Sequence, residues 1–338
     1  MRRKLLVAAA LLFSFSLYSY AQNKQESFQL ALPENKIDNS LYKKIQVLDI
    51  REDTTSLGVM QKGAFNKQVK VVPEIPLSLQ FSKLLSALNT DSAADGELLL
   101  LLREFRFAEV TKAMSEFGYC HFRAVLFAKT TAGYSKLQTI DTVATIRAMD
   151  VTKKTMREGS RLISAVIGQN LTKQPVGDIV LAEQQLLSID SFEKQKLPLY
   201  TTSSFTDGLY YSYASFAQQQ PDETGVKAWF DKKHRFQGLS YKNKNDQDVE
   251  IKNQFFYAFV LDGKPWISGE FTCYPLEKIG QDFFFTGKAR DVKNGDVAAA
   301  TFFFGIIGGL MASSATSLFE MKLDHLSGGF MRIREVEK

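Results

Sequence analysis

Three histidines, two cysteines and a few acidic pairs are the residues of this 338-residue chain whose types could do chemistry. Cys120 and His121 put a nucleophile beside a base. They lie in a strand-like run, Tyr119 to Phe127, and neighbours on a strand point to opposite faces, so they cannot meet as a Cys–His pair must. A structural role is expected for both. His234 and His325 are scattered, and no histidine has a second ligand at metal spacing. Asp246 and Asp248 could hold Ca²⁺ with neighbours, but the rest of a calcium-loop pattern is missing. Arg51-Glu52-Asp53 and Asn245-Asp246-Gln247-Asp248 read as solvated loops. There is no GxSxG elbow, HExxH pair or phosphate-binding loop. The expectation is no catalytic residue, no cofactor and no metal, in a protein that is not an enzyme.

Cys120 and Cys273 each sit in an apolar, strand-like run and neither belongs to a CxxC. Buried free thiols are expected; a single disulfide is the alternative that an exported compartment permits. The 27 Phe and 12 Tyr, on strands, read as core and not as a stacking platform for sugars or nucleic acid.

The compartment is read from the N-terminus. Met1-Arg2-Arg3-Lys4 is a compact positive end, Leu5 to Phe13 is apolar, and Ser19 and Ala21 form the small-x-small pattern of a signal-peptidase site. Residues 1–21 are therefore expected to be a signal peptide cleaved after Ala21, with Gln22 opening the mature chain. A retained anchor is the alternative, since no charge falls between Leu5 and Asn23. No cysteine follows the cleavage site, so the usual lipoprotein attachment is missing. Removing the signal lowers the formal charge from +5 to +2, and no Lys/Arg cluster remains to attract nucleic acid.

The elements suggest two domains. After a polar lead-in, 22–42, strands are expected at Lys44–Ile50 and Val69–Val72, then a helix with Leu77, Leu79, Phe81, Leu84, Leu85 and Leu88 on one face. Pro76 or Ser78 could start it. Three strands follow, at Glu97–Val110, Gly118–Lys129 and Tyr134–Arg147; the first contains five leucines in a row, as a strand buried on both faces would. A helix from about Thr152 to Leu171 closes the domain, with Met156, Leu162, Ile163, Val166 and Ile167 at helical spacing and Asp150 as its cap. The fold class is α+β: an N-terminal sheet with two packed helices, then a β-rich second domain. Residues 172–199 read as a polar linker with one short helix at Asp178–Leu187. In residues 200–338 strands are expected at Gly208–Tyr213, at Phe255–Leu261 turning through Asp262-Gly263 into Trp266–Phe271, and at Phe319–Leu323 turning through Ser327-Gly328-Gly329.

The run Ile45-Gln46-Val47-Leu48-Asp49-Ile50-Arg51-Glu52-Asp53, the later Gly58-Val59 and the closing amphipathic helix resemble the small α/β modules of bacterial transport-auxiliary and other outer-membrane-associated lipoproteins. The resemblance covers roughly residues 43–171. It implies an envelope role without catalysis and carries over no functional residue; the chain departs from those proteins in lacking the lipidated cysteine. The whole layout also resembles a widespread type of exported Gram-negative protein of unknown function.

Val297 to Phe319 contains no charge, and Gly305 and Gly309 form GxxxG. It reads as a buried core element, with a membrane span as the alternative; serines and threonines dilute its apolarity, and no basic cluster flanks it. The expected function is a non-catalytic exported cell-envelope protein, periplasmic or envelope-associated, that binds or scaffolds an envelope protein partner. A periplasmic protein for a small ligand or lipid is the alternative, and an enzyme the third reading.

Overall fold

Leu98 to Leu102, the five consecutive leucines, lie in strand β5 (Gly96–Lys112), and all five are buried. Alternate residues face opposite sides of a sheet, so such a run persists only where both faces are covered. Leu98, Leu100 and Leu102 enter the main core; further along it is Phe105 and Phe107 that do. The parity switches because pairing with strand β6 (Ser115–Thr130) slips between Leu102 and Glu104. Arg103 is the extra residue of a β-bulge, and it re-aims the rest of the strand.

The computed structural model describes residues 25–62, 67–112, 115–148, 151–175, 180–290 and 316–336. It falls into two units. The first comprises residues up to Ala128 with Leu137–Pro175, and the second Lys129–Lys136 with Val176 onward. The chain is strand-rich with mixed α and β structure.

In the first unit, β2 (Tyr42–Asp49) runs parallel to the first half of β5. β3 (Gly58–Lys62) pairs with Phe107 and Ala108 further along the same strand. β4 (Lys67–Pro73) pairs with β3, and β1 (Gln25–Phe28) runs parallel to β4. β7 (Gly133–Ala148) lies beyond β6, and its first residues pair with β8 (Val180–Leu181). The expected plan of a sheet with two helices is thus too simple. The lead-in supplies an edge strand, β1, to the sheet of the first unit, and the linker supplies β8, which pairs with the Lys129–Lys136 stretch within the second unit. Neither two-to-four-residue strand has enough alternation to be visible in sequence.

Helix α1 (Leu77–Leu88) starts at Pro76 and buries Leu77, Phe81, Leu84, Leu85 and Leu88 in that core; Leu79 is exposed, because it falls outside the stripe. Gln80 is buried on the same face. Its Oε1 accepts from Leu30 N–H (2.8 Å) and its Nε2 donates to the Phe28 and Ile75 carbonyls, which ties the lead-in to the helix. Helix α2 (Thr152–Gly168) buries Thr155, Gly159, Ser160, Ile163 and Ile167, with Met156, Leu162 and Val166 partly covered at the margin. Val151 occupies its N-cap position, and Asp150 lies outside the described residues.

Arg51, read as part of a solvated loop, is 7% exposed, while Glu52 and Asp53 are exposed. It fills the place where β2 and β3 meet end to end along β5. Its guanidinium grips both carboxylate oxygens of Asp49 and donates to the Ser56 carbonyl (2.8 Å). Five donors in a fixed fork suit a gap lined by carbonyls.

The second unit is built from three small sheets with helices α3 (Glu183–Leu187), α4 (Ile189–Lys194), α5 (Pro198–Thr201) and α6 (Tyr213–Ala217). The supposed polar linker therefore contains a strand and three short helices. One sheet has the order β15 (Cys273–Pro275), β14 (Lys264–Ser268), β13 (Ala258–Leu261), β9 (Gly208–Tyr210). β13 is central and buried on both faces: Ala258 and Val260 enter one apolar cluster, Phe259 another. Asp262 and Gly263 turn β13 into β14 with positive φ (52° and 68°), as a two-residue hairpin turn requires. The strand expected at Gly208–Tyr213 ends at Tyr210, because Ser212 caps α6 by accepting from Ser215 N–H (3.1 Å). A second sheet has the order β10 (Lys227–Phe230), β11 (Phe236–Lys242), β12 (Asp248–Ile251). The third is β16 (Glu277–Ile279), β17 (Asp282–Arg290), β18 (Thr316–Leu323), β19 (Phe330–Val336). The expected C-terminal hairpin is β18–β19.

The expected signal peptide, 1–21, and residues 297–315 of the apolar segment lie outside the described residues; 316–319 open β18. Among the described residues no helix is long and apolar enough to cross a membrane, which leaves spans made of strands unaddressed.

Candidate functional site

The structure separates Cys120 from His121 as strand alternation requires. Cys120 Sγ lies under α2, where a Cβ on Gly159 would come within 2.6 Å of it. Burial pushes this thiol well above its usual range. His121 Nε2 is 2.7 Å from Asp141 Oδ1 on β7, and the other oxygen of Asp141 binds Arg123 (2.8 Å). Burial alone would raise the Asp141 carboxyl, but the hydrogen bonds and positive charge from His121 and Arg123 outweigh it and hold the carboxyl low. This is a cross-strand ion network.

Cys273 is buried, which pushes its thiol up to about 12 despite a hydrogen bond with Ser268. Both cysteines are free. His234 sits exposed in the β10–β11 turn with φ 56°. Asp248 pairs with Lys227 (3.0 Å) and lies 3.7 Å from Lys242, and the Asn243 side chain closes the loop by accepting from Asn245 and Gln247 N–H. The loop geometry is thus held by its own side chains. His325 lies apart, in the turn after β18, 3.2 Å from Glu193.

An open cavity of about 230 Å³ is formed in the first unit, where the chain leaving β1 crosses α2. Its walls include Ser27, Phe28, Lys153, Met156, Arg157 and Ser160. Ser160, on a buried turn of α2, accepts from Ala31 N–H (2.7 Å) and so fixes the crossing chain against the helix. Lys153 and Arg157 lie one helical turn apart and are exposed.

The first turn of α2 contains no acidic residue and carries Lys153 and Lys154. Helix N-termini already carry a partial positive charge, so acids are the favoured side chains there. Here the acid comes from β5 instead: the buried Glu109 carboxylate accepts from the Thr152 hydroxyl (2.8 Å), and Lys153 and Lys154 stand exposed beside it. Met156, half-buried, adds an apolar surface, while the Phe28 ring behind it is 1% exposed and belongs to the core. The lining contains no histidine, cysteine or carboxylate, so neither serine has a base to activate it there. The arrangement suits holding an anion that carries an apolar part.

Sequence reasoning missed this site. Two of its walls belong to the lead-in, which has no period, and the Lys153–Arg157 spacing reads as an ordinary solvated helix face.

No protein-family model matches the chain, and no curated protein matches it in sequence. Two solved structures align with part of it. One, described as an uncharacterized protein, is 15% identical, with 43% of this chain aligned to 97% of that one and a TM-score of 0.24. The other, from Xanthomonas campestris and assigned to family DUF330, is 7% identical, with 50% aligned to 99% and a TM-score of 0.28.

Proposed function

We propose that this is a non-catalytic, exported cell-envelope protein whose work is binding, and that the cavity at α2 takes a small anionic amphiphile such as a fatty acid or lipid phosphate. The cavity carries the reading. It pairs Lys153 and Arg157 with the half-buried Met156 and places no base beside its serines. A charge-assisted contact from Arg157 orients the anionic head, and the half-buried Met156 meets the start of the tail.

Native mass spectrometry of the chain purified from an envelope fraction tests this. A bound acidic lipid is expected on the wild type and should be lost from the Lys153→Glu/Arg157→Glu variant. An apo mass for the wild type, with no binding of added oleate or phosphatidic acid, would sink the ligand reading. Export has its own test: the N-terminal mass of protein recovered outside the cytoplasm should begin at Gln22.

A second reading, a scaffold for a protein partner, draws on the exposed apolar side chains Trp229, Phe255, Phe271 and Ile279 of the second unit. It leads if a stoichiometric partner is recovered from solubilised envelope while the cavity stays empty.

A further inference from the structure

Asp190 and Glu193 are three residues apart on α4, which puts both carboxylates on one side of that short helix. His325 arrives from far along the chain, in the turn between β18 and β19. One ligand atom from each of the three residues lies within 4.8 Å of the other two, and His325 Nε2 is 3.2 Å from Glu193 Oε2. Ligand atoms bound tetrahedrally at ordinary zinc distances sit about 3.4 Å apart. The His–Glu spacing already matches, and the exposed Asp190 brings its ligand atom within 4.8 Å of both.

The histidine is held before any ion arrives. It is only 8% exposed, and its ring packs edge-on to Tyr200 at 6.3 Å. Its carbonyl accepts from Tyr213 Oη (2.7 Å). The neighbouring Asp324 carboxylate accepts from Leu326 N–H (3.2 Å) and from the Ser327 hydroxyl, and Gly328 N–H donates to the Asp324 carbonyl (2.8 Å). Lys194, next along α4 from Glu193, is directed to Asp282 (2.7 Å). A buried, oriented imidazole with one half-buried and one exposed carboxylate is a ligand set and not merely an acidic patch.

We propose that Asp190, Glu193 and His325 bind a first-row divalent cation of the zinc class, with the remaining coordination position left to water. The imidazole selects against Ca²⁺ and Mg²⁺, which prefer all-oxygen shells. The bound ion cross-links α4 to the β18–β19 turn. This inference is independent of the cavity in the first unit.

Calorimetry on the full chain, stripped with chelator and dialysed, tests it with Zn²⁺, with Co²⁺ as a spectroscopic substitute and Mg²⁺ as control. One Zn²⁺ per chain is expected, with visible absorption bands on adding Co²⁺ and no heat from Mg²⁺. Asp190→Asn and Glu193→Gln should each weaken Zn²⁺ binding at least tenfold, and Zn²⁺ should raise the Tm of the wild type but not of Asp190→Asn. Asp190 is exposed, so its variant folds even if His325→Gln does not. Failure of the wild type to bind Zn²⁺, or affinities unchanged in both carboxylate variants, would overturn the proposal.

Discussion

The hydroxyl of Thr155 on α2 faces the bare α-carbon of Gly118 on β6: a Cβ built there would stand 1.8 Å from Thr155 Oγ1. The helix can lie this close to the sheet only because Gly118 has no side chain. Gly159, against Cys120 and Phe107, serves the same approach from the helix side.

Gly118→Ala should therefore force α2 outward and cost about 1–3 kcal/mol in urea unfolding. Adding Thr155→Ala removes the nearest atom and should recover part of that loss. A Gly118→Ala protein as stable as the wild type would mean that the helix does not pack here. Thr155 Oγ1 is itself buried without a hydrogen-bond partner. Thr155→Val, of the same shape, should be neutral or more stable by up to about 1 kcal/mol.

Arg51 is expected to behave as a core residue. Arg51→Met removes the fork that joins Asp49 to the Ser56 carbonyl and leaves those half-buried acceptors without their donor, with an expected loss of about 1–3 kcal/mol. Arg51→Lys should recover little, because an ammonium cannot make the bidentate contact. Equal stability of the Lys variant and the wild type would refute the geometric argument.

Both thiols should be silent in the native state. Burial raises Cys120 and Cys273 and keeps the thiolate, the reactive form, scarce near neutral pH. Iodoacetamide at pH 8 followed by mass measurement should show no label on native protein and two on denatured protein. Fast native labelling would refute the burial.

The acid limb of stability should depend on Asp282. Its carboxyl is partly buried, which alone would raise it, but Lys194 (2.7 Å) and Lys322 (2.8 Å) hold it below its ordinary value. A group lowered on folding stabilises above its unfolded value and loses that contribution as pH falls through its folded value. Stability should therefore drop as pH falls below the ordinary carboxylate range. Asp282→Asn should lose about 3 kcal/mol at pH 7, because Lys194 stays 92% buried without its charge partner, and should show a flatter acid limb. Parallel pH curves for variant and wild type would count against this assignment.

The sequence by itself determined what depends on near neighbours. The apolar stripe of α1, the leucine run of β5, the Asp262-Gly263 turn and the final hairpin follow from spacing, turn chemistry and alternation, which act over a few residues. The separation of Cys120 from His121 was legible for the same reason. Tertiary structure alone decided what depends on meeting at a distance. β1 is four residues of no pattern until β4 offers it an edge, and Arg51 looks solvated until two strands end against β5 around it. The cavity at α2 exists because the lead-in crosses the helix at Lys153 and Arg157. Asp190 and Glu193 are an ordinary acidic pair until the β18–β19 turn brings His325 to them, and no local rule sees across that interval of chain.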